Sequence, residues 1–140
     1  MRQRAYCVAL LLLLLTVSAF GAEYKIVVHH LNPTTSLSKA VVADYFLKKK
    51  RTWPDDRPVV VVDQAVSSRV RETFSIAVLG RPVAAVSNYW HNQIFSGRDV
   101  PPLQEPSDQK VIEFVRSSPG AIGYVSATAD TGDLKIVTVH

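Results

Sequence analysis

Four consecutive valines, Val59 to Val62, constrain the fold more than any other part of this sequence. Pro58 precedes them and Asp63 follows, so the apolar run has the length and the boundaries of a strand. β-branched residues favour extended backbone, and a strand without polar alternation is apolar on both faces. The run therefore predicts a fully buried central strand of the kind found in parallel sheets.

The rest of the chain alternates between strand and helix patterns. Further strands are predicted at residues 24–29, 121–125 and 134–139. Four helices are predicted from their capping residues and apolar stripes, and they begin at Ser36, at Ser67 or Ser68, at Pro82, and at Ser107-Asp108. This order predicts a single α/β domain with a mixed, mostly parallel sheet flanked by helices.

The N-terminus has the three parts of a secretory signal peptide. Arg2 and Arg4 form a basic start, residues 5–17 are almost wholly apolar, and the small residues Ala19 and Gly21 follow. We expect cleavage after Gly21, with cleavage after Ala19 as the alternative. The apolar run is short for a transmembrane span, which disfavours the other interpretation, an uncleaved anchor helix.

The expected mature chain is an exported, periplasmic domain over residues 22–140. Without the first 21 residues, 119 of the 140 remain, and the single cysteine, Cys7, is removed, which suits an oxidising compartment. The 16 basic residues fall to 14 against 12 acidic ones, a net charge of +2. That charge gives no electrostatic basis for a nucleic-acid partner. The basic run at residues 48–51 is interpreted as a solvated helix end.

Enzyme and metal chemistry find little support in the sequence. Ser67, His91 and Asp63 supply the residue types of a hydrolase triad, but no Gly-x-Ser-x-Gly turn surrounds any serine. His29 and His30 are adjacent in or just after a strand, so their side chains point to opposite faces and do not readily share a metal. We therefore predict a protein that is not an enzyme and has no metal or other cofactor.

The turn after the valine strand is the best candidate for a binding site. There a strand end leads through a short loop into a helix start that carries Ser67, Ser68, Arg69 and Arg71, with Asp63 at its beginning. Free backbone amides and the positive end of the helix dipole favour an oxyanion at such a position. Serine hydroxyls add donors, and an arginine supplies a bidentate fork. Ordinary helix capping and a solvated arginine are the alternative interpretation.

A second hydroxyl cluster, Thr34-Thr35-Ser36, lies between the first strand and the first helix. If the first strand and the valine strand are neighbours, both helix starts lie at the same edge of the sheet and can face one pocket. Thr35 and Ser36 are therefore added to the candidate anion site. Turn formation and capping also explain these residues without a ligand.

Several segments together resemble one group of proteins, the phosphate-binding components of ABC transporters in the periplasmic-binding-protein-like superfamily. The matching segments are residues 36–38, 43–48, 53–55, 59–64, 78–81, 94–97 and 119–125. The resemblance extends over nearly all of residues 24–139. It implies one three-layer lobe of a type II periplasmic-binding-protein fold, and an exported solute-binding-like protein associated with phosphate transport.

The loop sequence departs from that family. The resemblance places a phosphate-gripping loop, usually Arg-Ser-x-Gly-Ser-Gly-Thr, on Asp63 to Arg69. Ser67 retains a serine, whereas the two glycines become Val66 and Ser68. Glycine permits close approach of the backbone to an anion, and full-length members add a second closing lobe. The resemblance therefore implies weak binding of phosphate or a similar small oxyanion, unless a transporter or another periplasmic partner completes the site.

The same departures favour a second hypothesis. The chain is then a periplasmic accessory or interaction protein that has kept the fold and lost ligand binding, because a fold does not by itself carry a ligand.

Overall fold

A computed structural model describes residues 23–140. The predicted signal peptide and both cleavage points lie outside the described residues. The strands are β1 (Tyr24–Val28), β2 (Ser36–Leu37), β3 (Val60–Gln64), β4 (Leu103–Glu105), β5 (Ala121–Ser126) and β6 (Lys135–Val139). The helices are α1 (Lys39–Phe46), α2 (Arg69–Phe74), α3 (Val83–Phe95) and α4 (Asp108–Ser117), and a π-helical segment, Ser75–Leu79, directly continues α2.

One mixed sheet holds all six strands in the order β2-β6-β1-β5-β3-β4. β1 runs antiparallel to both of its neighbours, β5 and β6, and the other three pairings are parallel. The predicted α/β architecture with a mixed, mostly parallel sheet is confirmed. The valine strand, β3, lies between two parallel partners, and only its first residue, Val60, is exposed.

The sheet carries a hydrophobic core on each face. Ile26 and Val28 of β1 point into the larger core, which α1, α2 and the π-helical segment cover. Val27, between them in sequence, points to the opposite face and packs with the apolar side of α4. This alternation is the two-residue repeat of a strand, and it places helices on both sides of the sheet.

Aromatic side chains fill the larger core. The rings of Phe74 and Tyr124 are stacked with their centroids 3.9 Å apart, and Phe46 packs against both. Trp90 of α3 is buried. Trp53 is buried too, and its Nε1 donates a hydrogen bond to the carbonyl oxygen of Gly120 at 3.0 Å.

The first predicted helix begins two residues later than expected. Ser36 and Leu37 form β2 and pair with Thr138 and Val139 of β6. Ser38 is the N-cap instead, since its Oγ accepts the backbone N–H of Val41. The short strand β4 is also absent from the sequence prediction, because strands of two or three residues are too short to display a periodic pattern.

The other helix boundaries follow the predicted capping residues. Ser68 and Ser107 are N-caps, and the π-helical segment ends at Gly80 with a left-handed φ of 67°. α3 starts after Pro82 and buries Val86 and Trp90. Within residues 23–140, none of the helices has the length and apolar character needed to cross a membrane.

The packing of α4 on the sheet depends on Gly123 of β5. A Cβ atom at this position would lie 2.8 Å from Cγ1 of Val111 and 2.8 Å from Cγ1 of Val62. We predict that Gly123→Ala lowers the free energy of unfolding by about 1–3 kcal/mol, because helix and sheet must move apart. Urea denaturation measures this. Thr128→Ala, at an exposed turn, is the control and should change stability by less than about 0.5 kcal/mol; equal stabilities for the two variants would contradict the prediction.

Candidate functional site

The candidate site lies where β3 ends and the chain turns into α2. Ser68 closes this turn as the N-cap of α2. Its Oγ accepts the backbone N–H of Arg71 at 3.3 Å and donates to Oε1 of Gln64 at 2.8 Å. Both hydrogen-bonding functions of the hydroxyl therefore serve the protein, as the capping interpretation predicts.

The two arginines of α2 have opposite placements. Arg71 is only 3% exposed, and its guanidinium points inward. Nη1 donates to the carbonyl oxygen of Gln64 at 2.7 Å, and Nη2 lies 3.6 Å from Oδ2 of Asp63. Arg69 is exposed. Only Arg69 can therefore present its charge to a ligand in solution.

Asp63 is buried at 5% exposure and has several donors around it. Besides the Arg71 guanidinium, the hydroxyl of Tyr124 and the backbone N–H of Gln64 donate to Oδ1. Burial raises the pKa of the Asp63 carboxyl, and the Arg71 charge and these two hydrogen bonds offset that only in part. Burial, followed by the charge of Asp63, also raises the pKa of Tyr124, so its hydroxyl stays protonated as a donor.

Gln64 extends this buried network to the other face of the sheet. Its Nε2 donates to Oδ1 of Asp108 at 2.7 Å and to the carbonyl oxygen of Tyr124 at 3.1 Å. Asp108 also accepts the backbone N–H of Ser126 at 3.1 Å. Sequence reasoning missed Gln64, Tyr124 and Asp108, although two polar residues ending an apolar strand are a signal that could have found the first.

Beside this network, the start of α2 opens onto a cleft. Ser67 is exposed and Ser68 is partly buried. The cleft has a volume of about 380 Å³, and it is lined by Arg69, Val70 and Thr73 of α2 with Glu23 and Ser126 opposite. Arg69 gives the cleft a positive charge, and the carboxylate of Glu23 opposes it. Of the predicted residues around this loop, Ser67 and Arg69 are thus exposed and Ser68 is partly exposed.

Thr35 and Ser36 lie at the opposite edge of the sheet. β5 separates β1 from β3, and β1 runs antiparallel to β5 whereas β3 runs parallel to it. The carboxyl ends of β1 and β3 therefore point in opposite directions, so the condition for a shared pocket is not met. Both residues are exposed and line a different cleft, of about 360 Å³.

No three His, Cys, Asp or Glu side chains among residues 23–140 come together in a group that could hold a metal ion. The chemistry available at the start of α2 is instead hydrogen bonding and charge. The first backbone N–H groups of a helix have no partner within the helix. Ser68 accepts that of Arg71, which leaves those of Arg69 and Val70 for a ligand or water.

No protein-family model and no curated protein matches this sequence. Solved structures do match its fold, at 14–21% identity. One, from Clostridium perfringens, is assigned to the phosphate ABC transporter substrate-binding proteins and has bound phosphate; it shares 21% identity at a TM-score of 0.67, covering 84% of this chain. Others are an ABC-type phosphate transport receptor from Vibrio cholerae (19%, 0.66) and PstS from Borrelia burgdorferi (14%, 0.60), each also covering 84% of this chain.

The chain spans less than half the length of these structures, between 44% and 47% of each. The TM-scores of these matches confirm the resemblance to phosphate-binding proteins at the level of the fold.

The contrast between Arg71 and Arg69 gives a matched pair of substitutions on one helix. Arg71→Ala removes one partner of a buried ion pair and leaves the Asp63 carboxylate without its counter-charge, so we predict a loss of about 3–5 kcal/mol of unfolding free energy. Arg69→Ala removes an exposed side chain and should change it by less than about 0.5 kcal/mol. Chemical denaturation of both variants checks this. Equal stabilities would mean that the ion pair does not hold the loop.

Proposed function

We propose that the chain is an exported, periplasmic solute-binding-like protein associated with phosphate transport by an ABC transporter. It binds a small oxyanion such as phosphate non-covalently at the start of α2. The observation that carries the proposal is the accessible group formed by Ser67, Arg69 and the unpaired first amides of α2 beside an open cleft. The fold shared with phosphate-binding proteins supports it.

The site differs from the one that the sequence predicts. Arg71 and Asp63 are buried and do not reach the anion. They position the loop, because the hydrogen bond of Arg71 to Gln64 and its ion pair with Asp63 fix the end of β3 relative to α2. Ser67 contributes its hydroxyl, Arg69 and Val70 contribute their backbone amides, and Arg69 also contributes the charge. Ser68 holds the turn, because its N–H donates to the carbonyl oxygen of Ala65 and its hydroxyl is paired within the protein. Thr35 and Ser36 take no part, since they lie at the other edge of the sheet.

We expect the affinity to be low. The cleft is open to solvent, so water screens the attraction between Arg69 and an anion, and Glu23 opposes it. Val66 and Ser68 carry side chains where glycines would let the backbone approach more closely. Tight binding would require a partner that closes over the start of α2 and excludes water.

Titration of the purified protein with inorganic phosphate, followed by NMR shifts of backbone amides, tests the proposal. Saturable shifts should appear at residues 67–70. Arg69→Gln should weaken binding about tenfold, the scale of one charge-assisted hydrogen bond. Arg116→Gln removes an exposed positive charge from α4 and should leave the affinity unchanged. Absence of saturation at millimolar phosphate, or equal effects of the two substitutions, would contradict oxyanion binding at this site.

A second candidate function is that of a periplasmic accessory protein without a ligand. The specific observation that favours it is the saturated network at the end of β3, in which Asp63, Gln64 and Arg71 all have partners within the protein. If this alternative holds, a strain that expresses the double variant Ser67→Ala/Arg69→Gln grows like the wild-type strain when phosphate is limiting. Cross-linking in intact cells then yields a defined protein adduct. Loss of that growth with unchanged folding would rule this alternative out.

A further inference from the structure

Four consecutive basic residues, 48–51, follow the end of α1. Lys48 terminates the helix with a left-handed φ of 55°, and the residues after it, Lys49, Lys50 and Arg51, are exposed. The backbone N–H of Val59 donates to the carbonyl oxygen of Arg51 at 2.9 Å. This bond fixes the run beside the start of β3, at the opposite end of that strand from the candidate site.

Apolar side chains protrude at the end of α3. Phe95 is 96% exposed, and Ile94 and Val100 are also largely exposed. Ile94 and Val100 line a shallow groove together with Arg98 and Asp99. Phe95 follows Ile94 in the chain, and Ile94 shares the groove with Val100. Exposed apolar groups that are clustered in this way are typical of a contact surface.

An ion pair joins the basic run to the groove that Ile94 and Val100 line. The guanidinium of Arg51 forms an ion pair with the carboxylate of Asp99. The hydroxyl of Tyr89 in α3 donates to the carbonyl oxygen of Leu47 at 3.3 Å, which holds the two helices together. We call the surface formed by residues 48–51, Ile94, Phe95, Arg98 and Val100 the basic–apolar patch. It contains five cations, and Asp99, which pairs with Arg51, lies at its border.

We propose that the basic–apolar patch docks on an anionic lipid surface, with Phe95 entering the lipid interface and the cations facing the headgroups. Charge complementarity selects a negatively charged partner. The combination of clustered basic side chains with a protruding aromatic ring is the chemistry of peripheral membrane contact, in which apolar groups enter the boundary between headgroups and acyl chains. A free anion such as phosphate would use the cations and leave Phe95 in water.

The inference does not depend on oxyanion binding, because the two surfaces lie at opposite ends of β3. A protein held through the patch would keep the start of α2 directed away from the lipid. Docking of this kind needs no membrane-spanning helix, since it uses only side chains of the folded domain.

Co-sedimentation with lipid vesicles tests the proposal. We would use the protein recovered after export from a bacterial host, with vesicles of equimolar phosphatidylglycerol and phosphatidylcholine, and vesicles of phosphatidylcholine alone. The wild-type protein should bind the anionic vesicles and be released by high salt. Lys49→Gln/Lys50→Gln should lower the partition coefficient about fivefold for each charge removed. Phe95→Ala should lower it about tenfold.

Lys110→Gln/Arg116→Gln is the matched control. It removes the same number of charges from α4, which lies on the other face of the sheet, and should leave the partition coefficient nearly unchanged. All variants share one N-terminus, so any contribution from residues before the domain cancels, and circular dichroism verifies their folding. The proposal is overturned if the anionic vesicles bind nothing at low salt, or if the control pair loses as much as the Lys49/Lys50 pair. An unchanged partition coefficient for Phe95→Ala would also overturn it, because binding would then rest on charge alone and the ring would not enter the lipid.

Discussion

The buried contact between Asp63, Arg71 and Tyr124 determines how the rest of this structure can work. It joins the end of β3, the first turn of α2 and the middle of β5 through charge and hydrogen bonds in a low-dielectric interior. Removing any one of the three would leave a buried charge or hydrogen-bonding group of the others without a partner, which costs free energy. The three side chains therefore hold each other in place. This contact keeps the Arg71 guanidinium in the interior, so the cation that α2 offers to solvent is that of Arg69.

Much of the fold can be predicted from local sequence. The valine run identifies β3, and the serines before α2 and α4 identify where those helices begin, because capping and β-branching act on neighbouring residues. The strand order cannot be predicted in this way: no residue in β1 or β3 indicates that β5, which comes far later in the chain, inserts between them. Placing Thr35 and Ser36 beside Ser67 failed for that reason.

The candidate site shows a similar division. The sequence locates the loop and its capping serine, but it cannot assign separate roles to Arg69 and Arg71. Residues two apart on a helix point in very different directions, so one guanidinium can be buried while the other is solvated. Which of them is buried depends on Asp63 and on Tyr124, a residue about sixty positions away whose hydroxyl is hidden in an apolar strand pattern.

The central position of β1 has a consequence for how the molecule acquires its structure. This strand is the first element of the described chain, yet its two partners, β5 and β6, are the last. β1 therefore has no strand partner until β5 and β6 are available, and contacts between elements so far apart in the chain form slowly. The first strand of the described chain therefore pairs only with its last two, and the sheet of residues 23–140 is completed by long-range contacts that join the two ends of that chain.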